Sequence, residues 1–375
     1  MKKIKVAVVI PTHYDIHSSL QNLLKVYLYM IKKRHIVVTI FTDKKNNVDC
    51  PGFQVERIKG IDYKTMWEKV LFLLGIPRFW YIDLVEKLKG YDVIESSNPE
   101  FYGFACQAYK AAKRYNTKLI YRTSQTVEGF FLFKWTKYLT ISFVRKAYRY
   151  AAFLLFTNPQ SQVRCIRLGL DKNKRKHRVI GHPTDTKMFR PKNIKKSKKT
   201  ILLSVGGLYK IKGHHLIIKS LKRICDKGYK NIELWIVGKG YYKDALVRLA
   251  RRLGLEDKVK FLGSKGHEEL AKVYNLSDIF VLANYQEMTP AVNEAMACEK
   301  PVVAMHCGGD RFVIPDDSCG LISKRLDTED MANKIIYLIK NRNTAKAMAK
   351  NGKKRIVKEF SIEKVGERMY RAFVE

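Results

Sequence analysis

Three stretches of this sequence have residue types and spacings suited to holding an anionic, hydroxyl-bearing ligand. The first is SVGGLYKIKG, residues 204–213. Gly206 and Gly207 permit a tight turn and close backbone approach. Lys212 and Gly213 then lead into an apolar helical pattern, so Lys212 stands near a positive helix end, a site for phosphate. The second is IVGKGYYKDAL, residues 236–246, where Gly238 and Gly240 form another glycine turn between an apolar run and a helix. Alone it reads as a tight turn as readily as a ligand contact. The third is ANYQEMTPAVNEAMACEKPVVAMHCGGD, residues 283–310. Thr289 and Pro290 are the residue types of an N-cap and a first helical position. Gln286, Glu287 and Met288 precede them in a polar loop, and Glu294 falls in the second turn of the helix. Carboxylates at Glu287 and Glu294 can accept hydrogen bonds from sugar hydroxyls. The plain alternative for Glu294 is a solvated helix face, but its neighbours AVN and AMAC are small and mostly apolar.

Positioning these loops requires strands that end beside one another. Short β-branched runs recur at Ile4–Ile10, Ile36–Phe41, Val93–Ile94, Lys118–Tyr121 and Phe153–Thr157. They recur again at Ile201–Val205, Glu233–Val237, Val259–Leu262, Ile279–Leu282 and Pro301–Ala304. Segments of helical spacing lie between them, including 19–33, 102–115, 214–227, 242–253 and 268–275. Alternation of this kind predicts α/β architecture with parallel sheets buried on both faces. The basic, aperiodic stretch PKNIKKSKKT at 191–200 separates two such series and reads as a linker. Two doubly wound domains are expected, 1–191 and 200–360, with a last amphipathic helix over 361–375. In open parallel sheets, ligands sit beyond the carboxyl ends of the strands.

Composition narrows the classes. The 375 residues are 46% hydrophobic, enough for real cores and against a disordered chain. No run approaches the ~18 apolar residues of a membrane span. The start MKKIKVAVVIPTHYD reads as a buried first strand rather than a signal peptide. Seven scattered cysteines without a CxxC pair argue against a disulfide framework or a zinc site. The net charge is +37, and residues 101–200 carry 24 basic side chains against 3 acidic. That field draws anionic partners. A nucleic-acid binder is one reading, but no helix-turn-helix, zinc finger or other such module is visible, and no nucleic-acid partner is expected.

The ensemble resembles the retaining glycosyltransferases of family 4, also called group 1, which have the GT-B fold: two Rossmann-like parallel-sheet domains facing a central cleft. Motifs match in order over 200–375, and LLFTNPQSQVRCIRLGL with HPTDTKMFRP extends the likeness back over 150–191. The resemblance implies a nucleotide-diphosphate sugar as donor, bound by the second domain; the acceptor side does not carry over, and the basic, aromatic composition of the first domain fits a sugar or lipid-linked acceptor. It implies no metal and no organic cofactor. Lys212 matches the lysine that holds the donor diphosphate, and Glu294 the glutamate that holds the ribose. Gly206, Gly238, Gly240, Met288 and Thr289 would border the donor. Two departures stand out. Gly207 occupies the place of the family's phosphate-binding arginine, with Lys210 and Lys239 as substitute cations. The loop glutamate stands eight positions before the helix glutamate, which is Gln286 here; either Gln286 takes that role or Glu287 does, through a one-residue deletion. On the first domain the family's glycine-rich loop is PTHYDIHSSL, where His13 is the candidate facing the acceptor, and Arg122, Thr123 and Ser124 stand where a histidine is common.

The implied activity is transfer of a sugar to an acceptor hydroxyl with retention of configuration, in glycolipid, polysaccharide or other cell-surface glycan synthesis. Lys212, Glu287 and His13 are the catalytic candidates. The basic, aromatic 130–156 stretch suits a peripheral site on an anionic membrane surface, or equally a buried helix with snorkelling cations. A cytoplasmic protein on the inner face of the cell membrane is expected. The alternatives are an epimerase or phosphorylase on the same fold, a non-catalytic descendant that lost the arginine, and a basic nucleic-acid binder.

Overall fold

The computed structural model describes residues 3–10, 18–44, 51–61, 80–97, 103–124, 134–194, 197–284 and 288–375. His13, Gln286 and Glu287 lie outside the described residues, as do all of residues 11–17. The chain forms two units, one of residues 1–181 with 362–375 and one of residues 182–361.

The first unit is built on a parallel sheet. Its strands are β1 (Ile4–Val9), β2 (Ile36–Asp43), β3 (Gln54–Ile58), β6 (Val93–Ser97), β7 (Lys118–Thr123), β8 (Phe153–Phe156) and β9 (His177–Val179). They lie in the order β3-β2-β1-β6-β7-β8-β9, and the short pair β4 (Gly60–Ile61) and β5 (Trp80–Tyr81) forms a separate antiparallel ribbon. Side chains alternate between faces along each strand. Ala7, Val9, Ile94 and Tyr121 enter one core with the helix Gly103–Tyr115. Val6, Val8, Val93 and Ile120 enter the other, against the helices Ser18–Arg34 and Ile362–Val374. The last helix contributes Val365, Met369, Ala372 and Phe373. Gly366 lets it lie close to its neighbour, since a Cβ there would stand 2.7 Å from the Tyr29 ring.

The second unit repeats the plan. Its sheet runs β12 (Val259–Phe261), β11 (Ile232–Val237), β10 (Thr200–Val205), β13 (Ile279–Leu282), β14 (Val302–Met305) and β15 (Leu321–Ser323), parallel throughout. Leu202, Leu234, Ile236 and Val281 pack on one face against the helices His214–Asp226, Lys243–Arg252 and Thr328–Lys340. Leu203, Val237, Phe280 and Leu282 pack on the other, against His267–Leu276 and Pro290–Ala297. The helix after β10 and the helix after β13 therefore cover opposite faces. Adjacent strands whose connections leave in opposite directions make the topological switch point where doubly wound sheets bind ligands.

The chain passes to the second unit at 181/182 rather than within 191–200. Residues 182–192 are already tied to that unit. Thr184 bridges to Ser361, Phe189 is fully buried in its core, and Asn275 bonds the Arg190 carbonyl and the Lys192 N–H. Composition marked the exposed basic stretch, whereas the crossing lies in the more ordinary GHPTD. Among the described residues, no helix is long and apolar enough to cross a membrane. The helix Lys134–Tyr150 is amphipathic where its side chains are described: Val144, Ala147 and Tyr148 are buried, while Arg145 bonds the Leu168 and Gly169 carbonyls that end the next helix.

Candidate functional site

The loops at the carboxyl ends of β10, β11 and β13 meet backbone to backbone. The Gly206 N–H donates to the Val237 carbonyl at 3.0 Å, the Leu208 N–H to the Lys239 carbonyl at 2.9 Å, and the Tyr242 N–H to the Leu208 carbonyl at 3.0 Å. Such contacts exclude side chains. A Cβ on Gly238, whose φ is +148°, would lie 2.0 Å from the Gly206 oxygen. One on Gly240 would lie 2.4 Å from the Leu208 oxygen, and one on Gly213 (φ +72°) 2.1 Å from the Ala283 oxygen. The glycines that the sequence singled out are thus the residues that let three loops close into one floor.

Lys212 ends a single 3₁₀ turn, Lys210–Lys212, and is half-buried. The turn delivers it to the first residue of the helix His214–Asp226. Gly207 carries a further consequence. A Cβ there would stand 2.6 Å from Cε2 of Tyr209, so the Tyr209 ring already fills the space that a side chain at 207 would enter. Lys210 and Lys239, the candidate replacements for a missing arginine, are both exposed on these turns.

The third loop leads into the helix Pro290–Ala297. Pro290 takes the first helical position and Thr289 precedes it in an extended conformation, as expected. The Thr289 hydroxyl does not cap the helix; it is buried without a partner. Met288 is buried in the apolar core beneath the loop, and Asn293 donates to the His182 carbonyl at 3.2 Å.

Glu294 is buried, which removes the solvated-face alternative. One carboxyl oxygen accepts from the Tyr274 hydroxyl at 2.9 Å, and the other has no partner. Burial raises its pKa to about 7, and the Tyr274 hydrogen bond pulls it down only in part. A buried carboxyl with one unused oxygen needs a donor. The sign of the pH effect follows. In the unfolded chain the group ionises near 4.5, so as pH rises from there to about 7 the native state holds a proton that the unfolded state has lost. Stability falls through that window, by on the order of 3 kcal/mol from this group. Glu294→Gln should remove that part of the slope in urea unfolding between pH 4.5 and 8. An unchanged slope would show that Glu294 ionises normally.

Sequence reasoning missed three residues here and one cluster in the first unit. Tyr274 reads as an ordinary helix-core aromatic, and nothing in its spacing marks the hydroxyl. His214 follows Gly213 and is almost wholly buried; its Nδ1 lies 3.2 Å from the Ser204 hydroxyl, and its Nε2 has no partner. Burial lowers its pKa to about 4, so it is neutral at physiological pH. Tyr209 reads only as a loop residue. In the first unit, Glu95 on β6 is buried. It accepts from Arg122 Nε on β7 at 2.9 Å and from the Tyr27 hydroxyl on the first helix. Asn22 on the same helix is fully buried with both side-chain polar atoms unpartnered. Arg122 thus spends its charge on Glu95. Among the described residues no group of three His, Cys, Asp or Glu side chains is placed to hold a metal ion.

Residues 185–355 match the family model described as glycosyl transferases group 1. An uncharacterized glycosyltransferase of Haemophilus influenzae is 32% identical over 181 residues, 47% of this chain and 50% of that protein. The N-acetyl-alpha-D-glucosaminyl L-malate synthase of Bacillus anthracis is 26% identical over 181 residues, 48% of this chain and 46% of its own length. The chain spans about half the length of the curated relatives it matches. Among solved structures, Anabaena HepE in complex with UDP superposes with a TM-score of 0.75 at 17% identity, covering 99% of this chain and 100% of that one.

Proposed function

We propose that this chain, whose residues 185–355 form a group 1 glycosyl transferase domain in a GT-B fold, moves a sugar from a nucleoside diphosphate to an acceptor hydroxyl with retention of configuration. The observation that carries the reading is Glu294: a buried carboxyl on the helix after β13, with one oxygen unused, at the sheet edge where the glycine loops close. A ribose hydroxyl supplies the missing donor. The glycine floor admits a diphosphate, Lys212 stands beside it, and the free N–H groups of the helix at Pro290 face the same strand ends.

In this reaction the bond between the anomeric carbon and the diphosphate oxygen breaks while the acceptor oxygen bonds the same carbon from the same face. Negative charge grows on the leaving diphosphate, and Lys212 with the helix N–H groups lowers its energy in place. The acceptor proton passes to the departing phosphate oxygen, so no separate base is required. The donor sugar is assigned to Glu287 or Gln286 and the acceptor to His13. The reaction needs no metal and no organic cofactor. The acceptor is a sugar or a lipid-linked glycan at an anionic membrane surface, toward which the basic excess of residues 101–200 draws the protein.

The test is a thermal-shift panel of nucleoside diphosphates and their sugar conjugates on wild type, Lys212→Ala and Glu294→Gln. A ligand at 100 times its Kd adds ~2.7 kcal/mol of stability. One base series should raise the melt of wild type. Lys212→Ala should abolish the response to diphosphates while sparing the free nucleoside, and Glu294→Gln should weaken both. A flat panel on folded wild type would overturn the reading. It would favour a non-catalytic descendant in which the Tyr209 ring has closed the place of the lost arginine.

A further inference from the structure

The same sheet has a second concavity at its opposite edge. β10, β13 and β14 begin at Thr200, Ile279 and Val302, and a cavity of about 390 Å³ opens beside these starts. That volume falls in the range of small-molecule sites. Ile279, Pro301, Leu338, Ala345 and Ala349 form an apolar floor. Five basic and two acidic side chains line the cavity, a net of +3. Both carboxylates are already engaged: Asp278 accepts from the Ile201 N–H at 2.9 Å, and Glu299 is held by Lys353 at 2.9 Å. Lys199 pairs with Glu233 at 2.7 Å, and Lys300 donates to the Asn275 carbonyl. Lys198, Arg342 and Lys346 remain, with no ion-pair partner among the described residues.

Glu299 adds to this picture. It stands just past the helix Pro290–Ala297 in a left-handed conformation, φ +53°, where glycine is the usual residue. A side chain there costs about 1–2 kcal/mol. The carboxylate so placed is turned onto Lys353 and not onto Lys198, Arg342 or Lys346.

We propose that this cavity is a second ligand site, one that takes an amphipathic anion: a phosphate or sulfonate head against Lys198, Arg342 and Lys346, and an apolar body on the floor beneath them. An inorganic anion alone would leave the floor wet, and a neutral apolar ligand would leave the cations without a counter-charge. The elements that line the cavity are a sheet edge and two packed helices, so the site is preformed. β10 is six residues long, which places this site roughly 20 Å from the glycine loops along the same strand.

The probe is 8-anilinonaphthalene-1-sulfonate, whose fluorescence rises in an apolar site. Folded wild type should bind one equivalent. Octyl phosphate should displace it, and octanol or inorganic phosphate at the same concentration should not. Arg342→Glu/Lys346→Glu should weaken binding at least tenfold, and Ala349→Phe, which fills the floor, should do the same. A single cooperative thermal melt reports that each variant is folded, and it holds whether or not nucleoside diphosphates bind. Displacement by AMP as well as octyl phosphate would show that a flat body fits as well as an alkyl one, and would support the site. The proposal is overturned if wild type gives no enhancement, if octanol competes as well as octyl phosphate, if both variants bind as wild type does, or if only nucleoside diphosphate displaces the dye.

Discussion

Arg122→Ala should destabilise the first unit by about 3–5 kcal/mol, because it strands a carboxylate that, among the described residues, has no other cation in contact. Glu95 is only 1% exposed, and its partners are the guanidinium of Arg122 and the Tyr27 hydroxyl. Tyr27 can donate one hydrogen bond but cannot neutralise a charge. Burial and the Glu95 carboxylate both hold the Tyr27 hydroxyl well above the usual phenol range, so it stays protonated as a donor. Urea unfolding of the variant at neutral pH measures the loss. Arg122→Met/Glu95→Gln should recover most of it, since removing both charges removes the need for the pair. A cost below 1 kcal/mol for Arg122→Ala would mean that water reaches Glu95, and that the pair is an ordinary screened one.

Gly238→Ala should cost about 3 kcal/mol or more, and should take the nucleotide response with it. Two penalties add. The φ of +148° is one that side-chain-bearing residues rarely adopt, a strain of about 1–3 kcal/mol. The new Cβ would also stand 2.0 Å from the Gly206 carbonyl oxygen, which is backbone and cannot rotate away. The loops after β10 and β11 must then part, and overpacking of this kind costs about 1–3 kcal/mol. Gly228→Ala is the control. Its φ is +91°, but no atom lies within 4 Å of the added carbon. It should show only the conformational cost, about 1 kcal/mol, and leave nucleotide binding unchanged. If the two variants behaved alike, the contact between the loops would carry no weight in the proposed donor site.

Much of this architecture was legible because parallel strands buried on both faces leave continuous apolar runs. The apolar run Ile279–Leu282 coincides with β13, and the runs at β1, β2, β7, β8, β10 and β11 end within a few residues of their strands. The strands that escaped are β3, β9 and β15, all at sheet edges, and the two-residue β4 and β5 of the separate ribbon. β3, QVERI, exposes most of its residues, so it has no apolar run to find. β9 and β15 are three residues long, too short to show a period. The helices Thr328–Lys340 and Arg342–Glu359 were not singled out either. The first packs on the sheet face beside β14 and β15 and the second against the helix Pro290–Ala297, and neither bears a motif. At the site, the glycines, Lys212 and Glu294 were visible because turn chemistry and helix starts have local signatures. Tyr274 and His214 were not, because their roles depend on what the fold brings opposite them. Pairing of Glu95 with Arg122 joins neighbouring strands 27 residues apart, and no local pattern announces it.

The helix Ile362–Val374 closes a core whose other members all precede residue 182. That has a consequence during synthesis. When residue 181 leaves the ribosome, the groove over Val26 and Met30 is still bare, and 180 further residues must be made before its cover exists. At ~5–20 residues per second that interval is roughly ten to forty seconds. The second unit is continuous in sequence and is made within that window, so it can complete its own core first. The half of the protein that starts first is the half that finishes last, and its exposed helix face is the surface a nascent-chain chaperone would meet.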